Sequence, residues 1–132
     1  MKYMLDTNIC IYVIKNKPLI VKENFLKHDI NYICISSITF AELMHGAEKS
    51  QYPEKTRTAI YNFLSPIKVM SFDSNAAIEY GKIRASLETK GTPIGPMDML
   101  IAAHAKSLDL TIVTNNTKEF ERIKDLQIEN WV

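Results

Sequence analysis

The sequence predicts an α/β fold: a central parallel sheet of four to five short strands flanked by helices on both faces. Three observations predict it. Short apolar runs recur along the chain and are separated by longer segments with helical spacing. Only four glycines and five prolines occur, so few breaks interrupt the helices. Strands that alternate with helices in this way build a parallel sheet covered on both sides.

The elements follow in order. Tyr3-Met4-Leu5 reads as a short buried strand, and Thr7 to Asn16 as a helix with Ile9, Tyr12, Val13 and Cys10 toward the core. Pro18 opens a second helix, to about His28. Tyr32 to Ile35 is a β-branched strand, and Ser36-Ser37 caps a helix from about Ile38 to Lys49. Pro53 starts a helix to about Leu64, and Pro66 breaks the chain before a strand from Ile67 to Ser71. Asp73 or Ser74 caps a long helix to about Thr89. A turn-rich stretch, Gly91-Thr92-Pro93-Ile94-Gly95-Pro96, precedes a helix from Met97 to Leu108. Thr111-Ile112-Val113 is a strand, residues 117–122 a short helix and Gln127-Ile128-Glu129 a last strand. In such sheets ligands gather beyond the carboxyl ends of the strands.

A chain of 132 residues predicts one domain, spanning residues 1–132. Apolar residues make up 46% and charged residues 23%, an ordinary folded composition that excludes a disordered chain. Lys plus Arg number 16 against 15 Asp plus Glu, so overall charge names no partner, although a local basic rim can sit on a neutral chain. Cys10 and Cys34 lie in apolar runs and read as buried free thiols in a reducing cytosol. An acid as early as Asp6 argues against a signal-peptide core, and no apolar run approaches the roughly 20 residues of a membrane span. The expectation is a cytoplasmic protein without a membrane segment.

The informative residues are acids in apolar surroundings. Asp6 ends the first strand, Glu42 lies within Ile38-Thr39-Phe40-Ala41-Glu42-Leu43-Met44, and Asp98 lies within Met97-Asp98-Met99-Leu100-Ile101. An ionised carboxylate among such neighbours is costly unless paired, capped or metal-bound. Each has a plain structural reading as well. Asp6 can cap the helix that starts at Thr7, and Thr39 with Glu42 can form a capping box that leaves Ser37 unused. Asp98 is redundant as a cap, because Gly95 suits that position and Pro96 the first helical one. Together, one strand end and two helix starts can converge at one sheet edge. Clustered carboxylates repel and are tolerated around a divalent cation. Oxygen-only ligands select Mg²⁺ or Mn²⁺, ions whose sites usually handle phosphates and can activate a water for in-line attack.

Four blocks carry a resemblance. They are Met4-Leu5-Asp6-Thr7-Asn8; Ile35-Ser36-Ser37-Ile38-Thr39-Phe40-Ala41-Glu42-Leu43-Met44-His45-Gly46; Gly91-Thr92-Pro93-Ile94-Gly95-Pro96-Met97-Asp98-Met99-Leu100-Ile101-Ala102-Ala103-His104-Ala105; and Thr111-Ile112-Val113-Thr114-Asn115-Asn116-Thr117-Lys118-Glu119-Phe120. In this order, over essentially the whole chain, they resemble a PIN domain of the VapC-type ribonuclease toxins found in bacterial toxin–antitoxin pairs. The resemblance implies a PIN-like fold and an Mg²⁺- or Mn²⁺-dependent endoribonuclease with Asp6, Glu42 and Asp98 as metal-site acids. A fourth acid common in the family is here Asn116, and either Asn116 or the nearby Glu119 fills its place. Asn8, Ser37 and Thr114 resemble positions that orient the acids by hydrogen bonds. The resemblance further implies a tRNA substrate, with initiator tRNA cut in the anticodon stem-loop in some relatives. It also implies a homodimer and a hetero-oligomer with a cognate antitoxin whose C-terminal segment brings a basic residue to the acids.

Other residues read as structural: His104 as a satisfied core histidine, His45 as a helix-surface residue, the methionines including Met97 and Met99 as packing, and Trp131 as an anchor of the terminus. Lys15, Lys17 and Lys22 read as a solvated face or part of an RNA-binding rim, and Arg84 as a residue that could face the groove. No phosphate-binding glycine loop, dinucleotide fingerprint or nucleophile elbow occurs. The alternative function is a catalytically weak RNA- or partner-binding module, supported by Asn116 in an acid's place. A phosphorylated receiver-like domain using Asp6 lacks the late lysine that fold requires.

Overall fold

The structure, a computed structural model, describes residues 1–132. Its elements are β1 (Tyr3–Leu5), α1 (Thr7–Lys15), α2 (Leu19–Leu26), β2 (Ile33–Ser36), α3 (Ser37–Glu48), α4 (Pro53–Leu64), β3 (Lys68–Met70), α5 (Ser74–Thr89), α6 (Pro96–Ser107), β4 (Thr111–Val113), α7 (Thr117–Phe120) and β5 (Ile128–Glu129). The five strands form one sheet in the order β3-β2-β1-β4-β5, and every pair is parallel. The chain fills one side of β1 with β2 and β3, then crosses to the other side with β4 and β5. The strand order therefore reverses between β1 and β4, which opens a crevice above their carboxyl ends.

Alternation along the strands supplies two cores. Tyr3, Leu5, Ile33, Ile35 and Val113 point to one face, where they meet Ile9, Val13, Leu43 and Ile60 of α1, α3 and α4. Met4, Cys34 and Ile112 point to the other, where they meet Ile83, Leu87, Met99 and Ile101 of α5 and α6. Both faces of the central strands are thus dry, which is why they read as unbroken apolar runs. Each fully buried Leu or Ile contributes about 1.5–3 kcal/mol. Both cysteines are free and buried.

The predicted elements are all present, and the differences lie at their ends. The first helix closes one residue early because Asn16 adopts the left-handed conformation (φ 57°), its N–H returning to the Tyr12 and Val13 carbonyls. The second helix is shorter at both ends. Pro18 sits in the extended cap position, and the His28 ring nitrogen Nδ1 lies 2.8 Å from the Asn24 carbonyl, taking up the last turn. Tyr32 belongs to a 3-10 turn begun by Asp29, so β2 starts one residue later than predicted. The strand predicted from Ile67 to Ser71 is trimmed to Lys68–Met70, the Ile67 N–H being used in a turn to Leu64. The helix predicted over 117–122 stops at Phe120, where the N–H groups of Arg122 and Ile123 turn back onto Glu119 and Phe120.

Two buried polar anchors hold helices against the sheet. Ser36 caps α3, its Oγ accepting from the Ile38 N–H at 3.0 Å, and the same Oγ is 2.7 Å from Nδ1 of His104. His104 is buried, packs edge-on against Phe72, and burial pushes its pKa below the usual histidine range. It is a satisfied core histidine. Trp131 stacks on His28 (4.3 Å, 12°), donates to Glu129 at 2.9 Å, and its carbonyl accepts from Asn24, tying the terminus to α2. Among the methionines, Met99 is buried as predicted, whereas Met97 is 48% exposed because it falls on the outer face of the first turn of α6. No helix is long and apolar enough to cross a membrane.

Replacing Ser36 by Ala removes a cap and the partner of a buried imidazole together. Urea unfolding should show a loss of about 1–3 kcal/mol. A loss below about 0.5 kcal/mol would mean that Ser36 anchors neither element.

Candidate active site

The crevice between β1 and β4 is where the acids meet. Asp6 is the first residue beyond β1; its own N–H donates to the Val113 carbonyl of β4 at 3.0 Å, which fixes it at the switch point. It also caps α1, with Oδ1 accepting from the Ile9 N–H at 2.9 Å. The capping role and a site role therefore coincide in one side chain. Asp6 is only 4% exposed, and burial pushes its carboxyl up to about 6. The hydroxyl of Thr114, just beyond β4, and the Ile9 N–H work against that rise, while the charges of Asp98 and Glu42 add to it.

Glu42 lies in the second turn of α3, half-buried, and does not close a capping box. Instead its Oε1 accepts from the Thr7 hydroxyl at 2.6 Å, a contact between helices that start on neighbouring strands. Asp98 stands in the first turn of α6, after Gly95 at the cap and Pro96 at the first helical position, as expected. Its carboxyl is raised by partial burial and then by the charges of Glu119 and Glu42; hydrogen bonding from Asn116 lowers it. Asn116 is in turn fixed by its backbone N–H on Thr114 Oγ1 (2.9 Å) and donates from Nδ2 to Glu119 Oε2 at 2.9 Å.

The structure thus brings together Asp6, Glu42, Asp98, Asn116 and Glu119, with Thr114 beneath them. Two predicted supports are not part of this network. The Ser37 hydroxyl accepts from the Phe72 N–H at 3.0 Å, so it holds the turn into α5 rather than an acid. Asn8 is exposed and makes no hydrogen bond to an acid, because the second residue of α1 faces away from the crevice. Thr7 fills that role instead. The sequence did carry a signal for it: Thr7 is the first helical residue after Asp6, within reach of whatever the next strand's helix presents.

No Lys, Arg or His stands within 4.0 Å of Asp6, Glu42, Asp98 or Glu119; the ion pairs of this chain lie elsewhere. The repulsion among these carboxylates is therefore uncompensated by the protein. No three of these side chains stand close enough together to ligate one ion directly. An all-oxygen set that is open, acidic and unpaired still fits a hard, hydrated divalent ion, since Mg²⁺ takes one or two carboxylates and retains water. His104 and His45 take no part in this set.

The pattern of the PIN domain matches residues 3–126 of this chain. This chain belongs to the PIN-domain family. Within it, the chain is 53% identical over 131 residues to the tRNA(fMet)-specific endonuclease VapC of Shigella flexneri, covering 99% of this chain and 98% of that protein. Among solved structures, the DNA-bound VapBC of Salmonella typhimurium superposes with a TM-score of 0.94 at 51% identity, covering 100% of this chain and 99% of its counterpart. VapBC2 of Rickettsia felis, bound to a promoter DNA fragment, superposes at 0.91 with 43% identity and full coverage of both chains. The α/β prediction and the VapC-type resemblance both hold.

The raised Asp6 pKa sets a pH signature for the PIN-domain crevice. An acid raised on folding favours the native state while protonated, and that benefit fades as pH climbs from about 4 through about 6. Without divalent ions, Asp6→Asn, which keeps the cap, should be more stable than wild type at pH 7.5 by about 2–3 kcal/mol, and the gap should close near pH 4. Paired denaturation curves check this. A gap independent of pH would show that Asp6 does not titrate in this range.

Proposed function

We propose that this chain is the ribonuclease toxin of a toxin–antitoxin pair, an Mg²⁺- or Mn²⁺-dependent endoribonuclease whose substrate is tRNA. The observation that carries the proposal is the uncompensated group of carboxylates at the switch point of a parallel sheet. RNA is a polyanion, and a bare acid cluster repels it. The cluster makes chemical sense around a cation that reverses the local sign and receives a phosphodiester. The name of the Shigella flexneri relative supports tRNA, and initiator tRNA within that class. The VapBC complexes support an antitoxin as partner. A basic side chain from that antitoxin, placed among the acids, would neutralise them and block the substrate at once. The toxin acts as a homodimer in the cytoplasm on this reading.

The reaction is hydrolysis. A water oxygen forms a bond to phosphorus, the bond from phosphorus to the leaving ribose oxygen breaks, and the attacking water's proton ends on that oxygen or in solvent. When bound, the cation supplies Lewis-acid stabilisation of the phosphoryl charge and a lowered pKa for a nearby water. The chain's own residues do the rest. Asp6 and Asp98 would hold the ion. Thr7 keeps Glu42 oriented through its 2.6 Å hydrogen bond. Asn116 keeps Glu119 oriented and restrains Asp98. The binding-module alternative rests on Asn116 standing in an acid's place. Glu119, bonded to that same Asn116, returns a carboxylate to this end of the crevice and favours the nuclease.

Incubation of antitoxin-free protein with total tRNA tests the proposal. Wild type should yield discrete fragments that require Mg²⁺ and vanish with EDTA, and Asp98→Asn should be slower by at least about 100-fold with its fold intact. Cleavage by Asp98→Asn at the wild-type rate would sink the assignment.

Thr7 gives a finer test. Thr7→Val should reduce kcat by about 10–100-fold, while Thr7→Ser, which retains the hydroxyl, should stay near wild type. Equal rates for all three proteins would remove Thr7 from the machinery.

A further inference from the structure

A basic recess stands on the α5–α6 side of the fold, and none of the crevice acids lines it. It lies between α5, the end of α6 and the turn after α7, with a volume of about 200 Å³. Lys82, Lys106, Arg122 and Lys124 line it, over an apolar floor that includes Ile83 and Ile123. Two acids offset part of this charge. Glu79 lies 3.8 Å from Lys82 and 4.0 Å from Lys106, and Asp125 stands at the rim. Arg122 and Lys124 have no carboxylate within 4.0 Å, so their charge is uncommitted. In a chain whose formal charge is only +1, four cations on one recess amount to a local departure from the average.

The recess is tied to the acids through the backbone. Arg122 Nη1 donates to the Pro93 carbonyl at 3.1 Å, on the loop that delivers Asp98. The Arg122 N–H donates to the Glu119 carbonyl at 3.1 Å, so the guanidinium begins one turn beyond the fourth acid. Lys106 Nζ donates to the Lys124 carbonyl at 3.2 Å, which holds the far wall against α6. The cations are thereby held at a set offset from the carboxylates rather than mixed among them. A positive recess tied through Arg122 to the loop that delivers Asp98 suits a polyanion that must bring one phosphodiester to a cation and still be attracted by the protein around it.

We infer that the recess lined by Arg122, Lys124, Lys82 and Lys106 seats backbone phosphates of the RNA substrate that flank the cleaved bond. The inference rests on the ribonuclease reading above and extends it from the scissile phosphate to its neighbours. Such contacts set affinity and register and carry no sequence information. The four cations bind ground state and transition state alike, so they act on KM and leave kcat alone. Arg122 and Lys124 are positioning residues in this account.

The test uses the full chain free of antitoxin. Binding of total tRNA is read as a function of salt on the Asp98→Asn background, which keeps the RNA whole, and cleavage is read with the active-site acids intact. Arg122→Gln/Lys124→Gln should raise the tRNA Kd and KM by about tenfold, reduce the salt slope by about 1–2 and leave kcat near wild type. Arg122→Lys should recover part of the affinity. Lys82→Gln/Lys124→Gln leaves the Pro93 contact in place and should show the same direction, which separates lost charge from a displaced loop. Lys49→Gln/Lys55→Gln, the same charge change outside the recess, should stay within about twofold. Unchanged Kd and salt slope in both recess variants, with wild type still cleaving tRNA, would overturn the inference alone. A fall in kcat at constant KM would overturn it too, by assigning Arg122 to the support of Asp98. So would weaker antitoxin binding with tRNA binding unchanged, which would give the recess to an acidic protein partner. A wild type that neither binds nor cuts tRNA would fail the ribonuclease reading itself, and the phosphate seat with it.

Discussion

Asp6 is a carboxylate held almost out of water at the point where β1 and β4 part, with no cation of the protein beside it. The rest of the site is organised around that constraint. Its backbone completes the ladder to β4, its side chain completes the first turn of α1, and its charge is left facing Asp98 and Glu42. A residue with only the first two duties could be Ser or Asn at little cost. The carboxylate makes this position costly when ionised, and a bound cation, as proposed, would relieve that cost.

The same economy recurs around the crevice. Each acid stands near the start of a helix, where unpaired N–H groups and the helix dipole favour negative charge. Asp6 precedes α1, Glu42 follows one turn into α3, Asp98 lies in the first turn of α6 and Glu119 sits in α7. Parallel topology brings all these helix starts to one edge. The neighbouring hydrogen bonds then aim the side chains: Thr7 to Glu42, Asn116 to Glu119, and Thr114 beneath both Asn116 and Asp6. The opposing charge sits outside this ring. Arg122 begins one turn past Glu119 and leans onto the Pro93 carbonyl, and it makes no ion pair with the acids.

Precision at this edge depends on rigidity below it. Ser36 and His104 clamp α3 to α6 across β2, and the two cores lock the central strands from both faces. A shift of either helix by a fraction of an ångström would move Glu42 or Asp98 relative to Asp6. The buried polar pair is therefore part of the site's geometry although it touches none of its chemistry.

The sequence by itself determined the element order, the parallel sheet, the VapC-type resemblance and the acids Asp6, Glu42 and Asp98. These are local facts: apolar runs that bury both faces of a strand, proline and serine at helix starts, and carboxylates where no solvated neighbour explains them. It also left Asn116 and Glu119 as rival fillers of one place. Only the tertiary structure decided that they act as a bonded pair beside Asp98. The same holds for Thr7 supporting Glu42 across 35 positions while Ser37 serves the turn at Phe72 and Asn8 faces solvent. The basic recess was invisible as well, because Lys82, Lys106 and Arg122 come from three separate elements. Hydrogen-bond partners and shared charge depend on which helix starts are brought side by side. That is set by crossovers between strands far apart in the chain, and no local pattern encodes it.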